Sequence, residues 1–289
     1  MARILFCCLA LFLAACSEPE DPPVPVMEVA AETATGLEPE SEPELEPEPE
    51  PAPRSPRTIT IAADPWCPHN CEAGTDHEGY MIDITREAFA RAGIEVEYVN
   101  MSWARALQLA REGHMDAVVG ALPADAPDFV FPEEAIGHTT IALYTHPDSD
   151  WQYAGVESLD GVILLAINGY AYSPELDAYI TRYQDDPERV WILSGPAPLG
   201  RAIELLYKRR SDVFPEDRFV MAWELAQGGD TRTLRLAAVL HQSPLYVAFS
   251  PARDESLRLA TLLSEGTRAL QASGRAEQIL GRYGLSWSD

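Results

Sequence analysis

Aromatic and charged residues gather where the strand-like runs of this chain stop. Residues 58–63 run into Asp64-Pro65-Trp66, residues 95–99 into Asn100-Met101-Ser102-Trp103, and residues 116–120 into Gly120-Ala121. Residues 162–167 lead to Asn168-Gly169-Tyr170 with Tyr172 close by, and residues 212–214 lead to Glu216-Asp217-Arg218. Rings beside a few charges suit a small polar organic molecule, with Trp66, Tyr80, Trp103, Tyr170 and Tyr172 as candidate walls and Gly120 as a point of close approach. Cys67 and Cys71 stand four apart beside Trp66. In an oxidising compartment such a pair forms a disulfide pinning the loop. With His69 and His77 they could instead offer soft metal ligands, although the spacing fits no common zinc pattern and a thioredoxin-like motif needs two intervening residues. There is no Gly-x-Ser-x-Gly elbow and no phosphate loop, and the histidines are scattered, with His114 and His138 reading as surface or structural residues. Neither catalytic residues nor a metal or cofactor are expected.

Periodicity defines the strands and helices that carry these residues. Residues 58–63, 95–99 and 116–120 read as strands, separated by helical patterns over 80–92 and 103–111, the second opened by Ser102 and closed by Gly113. The order β-α-β-α-β implies a parallel sheet. It repeats with strands at 162–167, 190–193 and 212–214 and helices after Ser173-Pro174 and over 198–208. Further strands are predicted at 234–239 and 245–249, and further helices at 219–226, 256–272 and 276–282. The expected fold is α/β with two parallel-sheet lobes, and such sheets bind ligands at the carboxyl ends of their strands.

The N-terminus holds Arg3 and an apolar run over residues 4–15, too short to cross a bilayer as a helix and suited to a signal peptide over 1–15. Its end, Leu13-Ala14-Ala15-Cys16, resembles the lipobox of bacterial lipoproteins, which implies acylation of Cys16 and a membrane anchor; simple cleavage after Ala15 is the alternative. Ser17 after the cysteine resembles the outer-membrane sorting pattern. Residues 17–56 are mostly Glu, Pro and Ala and lack the apolar side chains for a core, so they read as a disordered tether reaching on the order of 100 Å at about 3.1 Å per residue. This stretch carries 12 acidic residues and one basic one, Arg54, and so holds 11 of the chain's 25 net negative charges. That balance argues against nucleic acid as a partner.

From Arg57 to Trp287 the chain resembles the family 3 extracellular solute-binding proteins. The resemblance is carried by Gly79-Tyr80-Met81-Ile82-Asp83-Ile84, by Gly113-His114-Met115-Asp116-Ala117-Val118-Val119-Gly120, by Phe131-Pro132, by Tyr246-Val247-Ala248-Phe249 and by the closing Gly281-Arg282-Tyr283-Gly284, in that order. It implies two lobes of the type II periplasmic-binding-protein-like fold, about 57–140 with 250–289 and about 141–249, joined by two crossing segments and closing on ligand by a hinge. It also implies a non-enzymatic monomer on the periplasmic side of the envelope, serving an ABC permease encoded separately. Amino-acid binders of the family carry an arginine after the third strand to clamp the substrate carboxylate. Here residues 121–128 read Ala-Leu-Pro-Ala-Asp-Ala-Pro-Asp, without one. Arg105, in the first turn of a helix, is the substitute cation, and Asp217 matches the family's late Asp that takes the substrate ammonium.

These features are compatible with three classes of function. The first is capture of a small polar or zwitterionic, amino-acid-like solute for import. The second is sensing through a signalling partner that the tether could reach. The third is dehydratase-like chemistry, known in the cyclohexadienyl dehydratases of the same fold, with Glu216 or Asp217 as the acid or base.

Overall fold

The computed structural model describes residues 57–227 and 233–287. The expected signal segment, Cys16 and the acidic tether lie outside the described residues. Among the described residues no helix is long and apolar enough to cross a membrane.

The first half of the fold is β1 (Arg57–Ala63), α1 (Tyr80–Ala90), β2 (Ile94–Asn100), α2 (Trp103–Arg111) and β3 (Ala117–Ala121). β1 pairs in parallel with both β2 and β3, as the alternating order requires. The second half holds β4 (Gly137–Thr145), a short 3-10 helix at Val156–Leu159, β5 (Leu164–Ile167), α3 (Pro174–Tyr183), β6 (Val190–Leu193), α4 (Leu199–Tyr207), β7 (Val213–Asp217) and α5 (Arg218–Gln227). β5 pairs in parallel with β6 and β7. Its residues alternate between two cores, Leu165 and Ile167 in one and Leu164 and Ala166 in the other, so the strand is apolar throughout. α3 starts as its sequence suggests: the Ser173 side chain accepts from the Leu176 N–H and Pro174 follows in the first turn.

β8 (Arg235–Phe249) ties the halves together, and α6 (Ser256–Ala272) and α7 (Arg275–Gly281) complete the chain. From Arg235 to Leu245, with two register shifts, β8 pairs antiparallel with β4, while Tyr246 to Phe249 pair antiparallel with β3. The strand order is thus β2-β1-β3-β8-β4-β7-β5-β6, a mixed sheet whose two parallel portions are bridged by antiparallel strands. In sequence β8 reads as two strands because the polar run Leu240-His241-Gln242-Ser243-Pro244 resembles a turn; pairing along β4 holds it extended instead. β4 itself was not expected. It is an antiparallel crossing strand outside the β-α-β rhythm, and no helix stands between it and β3 to mark its start.

After β8 the chain returns to the first lobe, where α6 lies against α1 with Gly266 at the closest approach. A Cβ at Gly266 would stand 2.6 Å from the Ala88 Cβ. Replacing an exposed helical Gly by Ala gains about 1 kcal/mol of propensity, but overpacking here costs about 1–3 kcal/mol. Gly266→Ala should therefore lower the urea midpoint, whereas Gly281→Ala, which meets open space, should leave it unchanged or raised.

Candidate functional site

The loop after β1 is locked before any ligand is considered. Cys67 and Cys71 are joined by a disulfide. Within it the Trp66 N–H donates to the Asn70 carbonyl, and the His69 and Asn70 N–H groups donate to the Trp66 carbonyl. The loop also caps α1, since the Tyr80 and Met81 N–H groups donate to the Pro68 and His69 carbonyls. Gly79 makes this approach feasible: its φ is +103°, and a Cβ there would lie 2.5 Å from the Asn70 Cα.

Two neighbouring carboxylates end β7, and strand geometry sends them to opposite sides. Asp217, fully buried, accepts five hydrogen bonds: from Thr139 Oγ1 (2.9 Å), Thr140 N–H (2.7 Å), Phe219 N–H (2.8 Å), Val220 N–H (2.9 Å) and His69 Nε2 (3.1 Å). The other nitrogen of His69, Nδ1, lies 2.7 Å from the Tyr80 hydroxyl. Both ring nitrogens of His69 thus have a buried hydrogen-bond partner. Burial pushes the Asp217 carboxyl up, but the field and hydrogen bond of His69 and the backbone donors outweigh it and hold its pKa below the usual value. Asp217 therefore caps α5 and joins the loop after β1 to β4 and β7.

Glu216 faces the other way, into a pocket between the two lobes. The first lobe contributes Asp64, Trp66, Asn70, Trp103, Val119, Gly120, Leu122 and Asp125 to its wall, and the second contributes Ile141, Tyr170, Ala171, Tyr172 and Glu216. The pocket is narrow: its free volume of about 30 Å³ holds roughly two water molecules. Three hydrogen bonds cross it directly. Trp66 Nε1 donates to Glu216 Oε1 (2.8 Å), the Tyr170 hydroxyl donates to Asp64 Oδ2 (2.8 Å), and the Ala171 N–H donates to Asp125 Oδ1 (2.8 Å). The lobes are thus in a closed arrangement, in direct contact across the pocket.

The electrostatics of the wall are one-sided. Its residues include three carboxylates and no Arg, Lys or His. Burial raises the Glu216 carboxyl to about 8, against the pull of hydrogen bonds from Trp66 and the Asp217 N–H, with the fields of Asp217 and Asp64 adding to the rise. Burial likewise raises Asp64 to about 7 despite the Tyr170 bond, and Asp125 to about 7 despite bonds from the Leu122 and Ala171 N–H groups. Two oxygens in the wall, Glu216 Oε2 and Asn70 Oδ1, are buried with no hydrogen-bond partner among the described residues.

Of the residues expected at a site, Trp66, Trp103, Gly120, Tyr170 and Tyr172 come together in this wall. Tyr80 sits behind His69 and lines a separate cavity with Phe219 and Trp287. Arg105 is exposed on α2 and Asp217 is turned to its structural partners, so neither lines the pocket. The wall also holds Asp64, Asn70, Asp125 and Glu216, which were not among the expected ligand contacts. The alternation of side chains along β7 is the signal that separates Glu216 from Asp217, and Asp64 is the first residue beyond β1. Asn70 and Asp125 lie in tight loops whose geometry leaves no periodic trace. Among the described residues no group of three or more His, Cys, Asp or Glu is placed to hold a metal ion.

The fold and this interlobe pocket define a two-lobed binding protein. Residues 59–286 match the bacterial extracellular solute-binding proteins, family 3, and the chain belongs to that family. No curated protein matches the chain. Among solved structures, a histidine kinase sensor domain with similarity to periplasmic binding proteins is 19% identical, with a TM-score of 0.63 over 79% of this chain and 96% of that one. The P235GK mutant of ArgBP from T. maritima is 17% identical, with a TM-score of 0.63 over 78% and 94%. A structure concerned with glutathione import through GshT and the cystine ABC importer TcyBC of Streptococcus mutans is 16% identical, with a TM-score of 0.66 over 80% and 96%.

The raised carboxyls fix the sign of a pH dependence. Between about pH 4 and 8 the folded state binds more protons at Asp64, Asp125 and Glu216 than the unfolded chain does, so stability falls as pH rises through that window. Asp217 acts oppositely, its contribution being lost only in acid, below the ordinary carboxylate range. The melting temperature should therefore decline from pH 5.5 to 8.5, and Glu216→Gln should flatten the decline. Asp217→Ala, which strands His69 and four further donors, should cost about 3 kcal/mol or more in urea unfolding.

Proposed function

We propose that this chain is a non-enzymatic, extracytoplasmic solute-binding lipoprotein. In this reading Cys16 carries the lipid, residues 17–56 form the tether, and the two lobes, about 57–140 with 250–289 and about 141–249, close on a small polar molecule. The observation that carries the proposal is the pocket itself, lined from both lobes by aromatic rings and buried polar groups. A ligand that touches both lobes favours the closed state by its contacts there. Trp66, Trp103, Gly120, Tyr170 and Tyr172 are its proposed contacts, joined by Asp64, Asn70, Asp125 and Glu216.

Family membership supports the role of a monomer that delivers solute to an ABC permease encoded separately. The periplasmic face of the envelope, with the outer membrane as the anchoring site, fits that role. The similarity to a histidine kinase sensor domain favours a second reading, in which the loaded protein signals to a partner. In either case the lipid retains the domain near the membrane, since several acyl chains on one residue anchor durably where one is marginal.

Calorimetric titration of the purified protein with amines, amino acids, small peptides and organic acids should give binding in the micromolar range or tighter for at least one class. That ligand should also change the fluorescence of Trp66 and Trp103 in the pocket wall. Flat titrations across all four classes would contradict the proposal.

A further inference from the structure

The pocket has a chemical bias that the family alone does not specify. Glu216 and Asn70 are each about 1% exposed, and each places one oxygen in the wall with no donor among the described residues. Leaving such an acceptor without a partner costs about 1–3 kcal/mol, more where it is charged. Asn70 has no freedom to turn its amide, since its Nδ2 donates to the Asp64 carbonyl at 2.7 Å. Its Oδ1 lies where a Cβ on Gly120 would come within 2.9 Å, so Gly120 keeps this face open.

Around these two acceptors the wall adds Asp64 and Asp125 and no cationic side chain. A carboxylate-bearing solute would find no positive partner here and would face three acidic groups. A donor-rich cation would satisfy both free acceptors and neutralise the acidic wall. Aromatic side chains such as Trp66 and Trp103 complete an environment that attracts cations. A bare metal ion is the poorer match, because no convergent ligand set is present among the described residues.

We infer that the pocket selects a small organic cation bearing a primary ammonium group and no carboxylate, with Glu216 Oε2 and Asn70 Oδ1 accepting its N–H groups. This rests on the solute-capture reading and names the class of solute. Three probes of similar length and different charge test it: 1,4-diaminobutane, 4-aminobutanoate and butanedioate, titrated into the full chain at pH 8. The diamine should bind at least ten-fold tighter than 4-aminobutanoate, and butanedioate should not bind. Glu216→Gln should weaken the diamine ten-fold or more without lowering the melting temperature, and Asp125→Asn provides a second charge-removing variant if the first does not fold. Tighter binding of either carboxylate-bearing probe would overturn the inference while leaving solute capture intact. Silence of all three would also overturn it, and capture itself would then stand or fall on the wider panel of amino acids, peptides and organic acids.

Discussion

The end of β7 sets the terms for the rest of the site, because two carboxylates are buried side by side and only one is provided for. Asp217 receives five donors and sits at the start of α5, where backbone N–H groups favour negative charge. Glu216 receives two on one oxygen and none on the other. The protein thus directs its good donors to the residue that holds β4, β7, α5 and the loop after β1 together. The unsatisfied oxygen belongs to a residue of the pocket wall and has no donor among the described residues. A buried, unpartnered carboxyl oxygen in a pocket wall calls for an explanation, and function is one.

The same division explains why the lobes can close and yet remain receptive. The bonds from Trp66 to Glu216, Tyr170 to Asp64 and Ala171 to Asp125 all cross the pocket. They satisfy one oxygen of each carboxylate without bringing a countercharge. Net contributions of single hydrogen bonds are about 1 kcal/mol, so three such contacts are weak enough for a solute to replace. A cation placed among them would add Coulombic attraction that the lobes cannot supply to one another. The disulfide loop and the backbone caps on α1 keep Trp66 and Asn70 in place while this exchange occurs, which limits the ordering cost of binding.

Much of this architecture is legible in the residues. The β-α-β runs, the start of α3 at Ser173-Pro174 and the aromatic residues at strand ends are local signals, and they assemble into the parallel portions of the sheet and five residues of the pocket wall. The antiparallel bridge is not legible, since β4 breaks the rhythm and Pro244 punctuates a strand that tertiary pairing keeps whole. Charge is the harder part. Analogy with a clamp for amino acids points to Arg105 and Asp217, yet one lies at the surface and the other is consumed by its neighbours. Which of two adjacent acidic residues faces a cavity depends on register, and register is set by pairing across β4 rather than by anything within Glu216-Asp217.

The pocket wall holds three acidic groups and no cationic side chain, and in the proposed reading the ligand brings the positive charge. The decisive measurement is a count of protons on binding, by calorimetry of 1,4-diaminobutane at pH 7 in buffers of different ionisation enthalpy. Burial raises the wall carboxyls, and an arriving cation favours their ionised forms, so net proton release on binding is expected, reduced in Glu216→Gln. Binding with no proton exchange, or with uptake, would contradict this electrostatic account of the site.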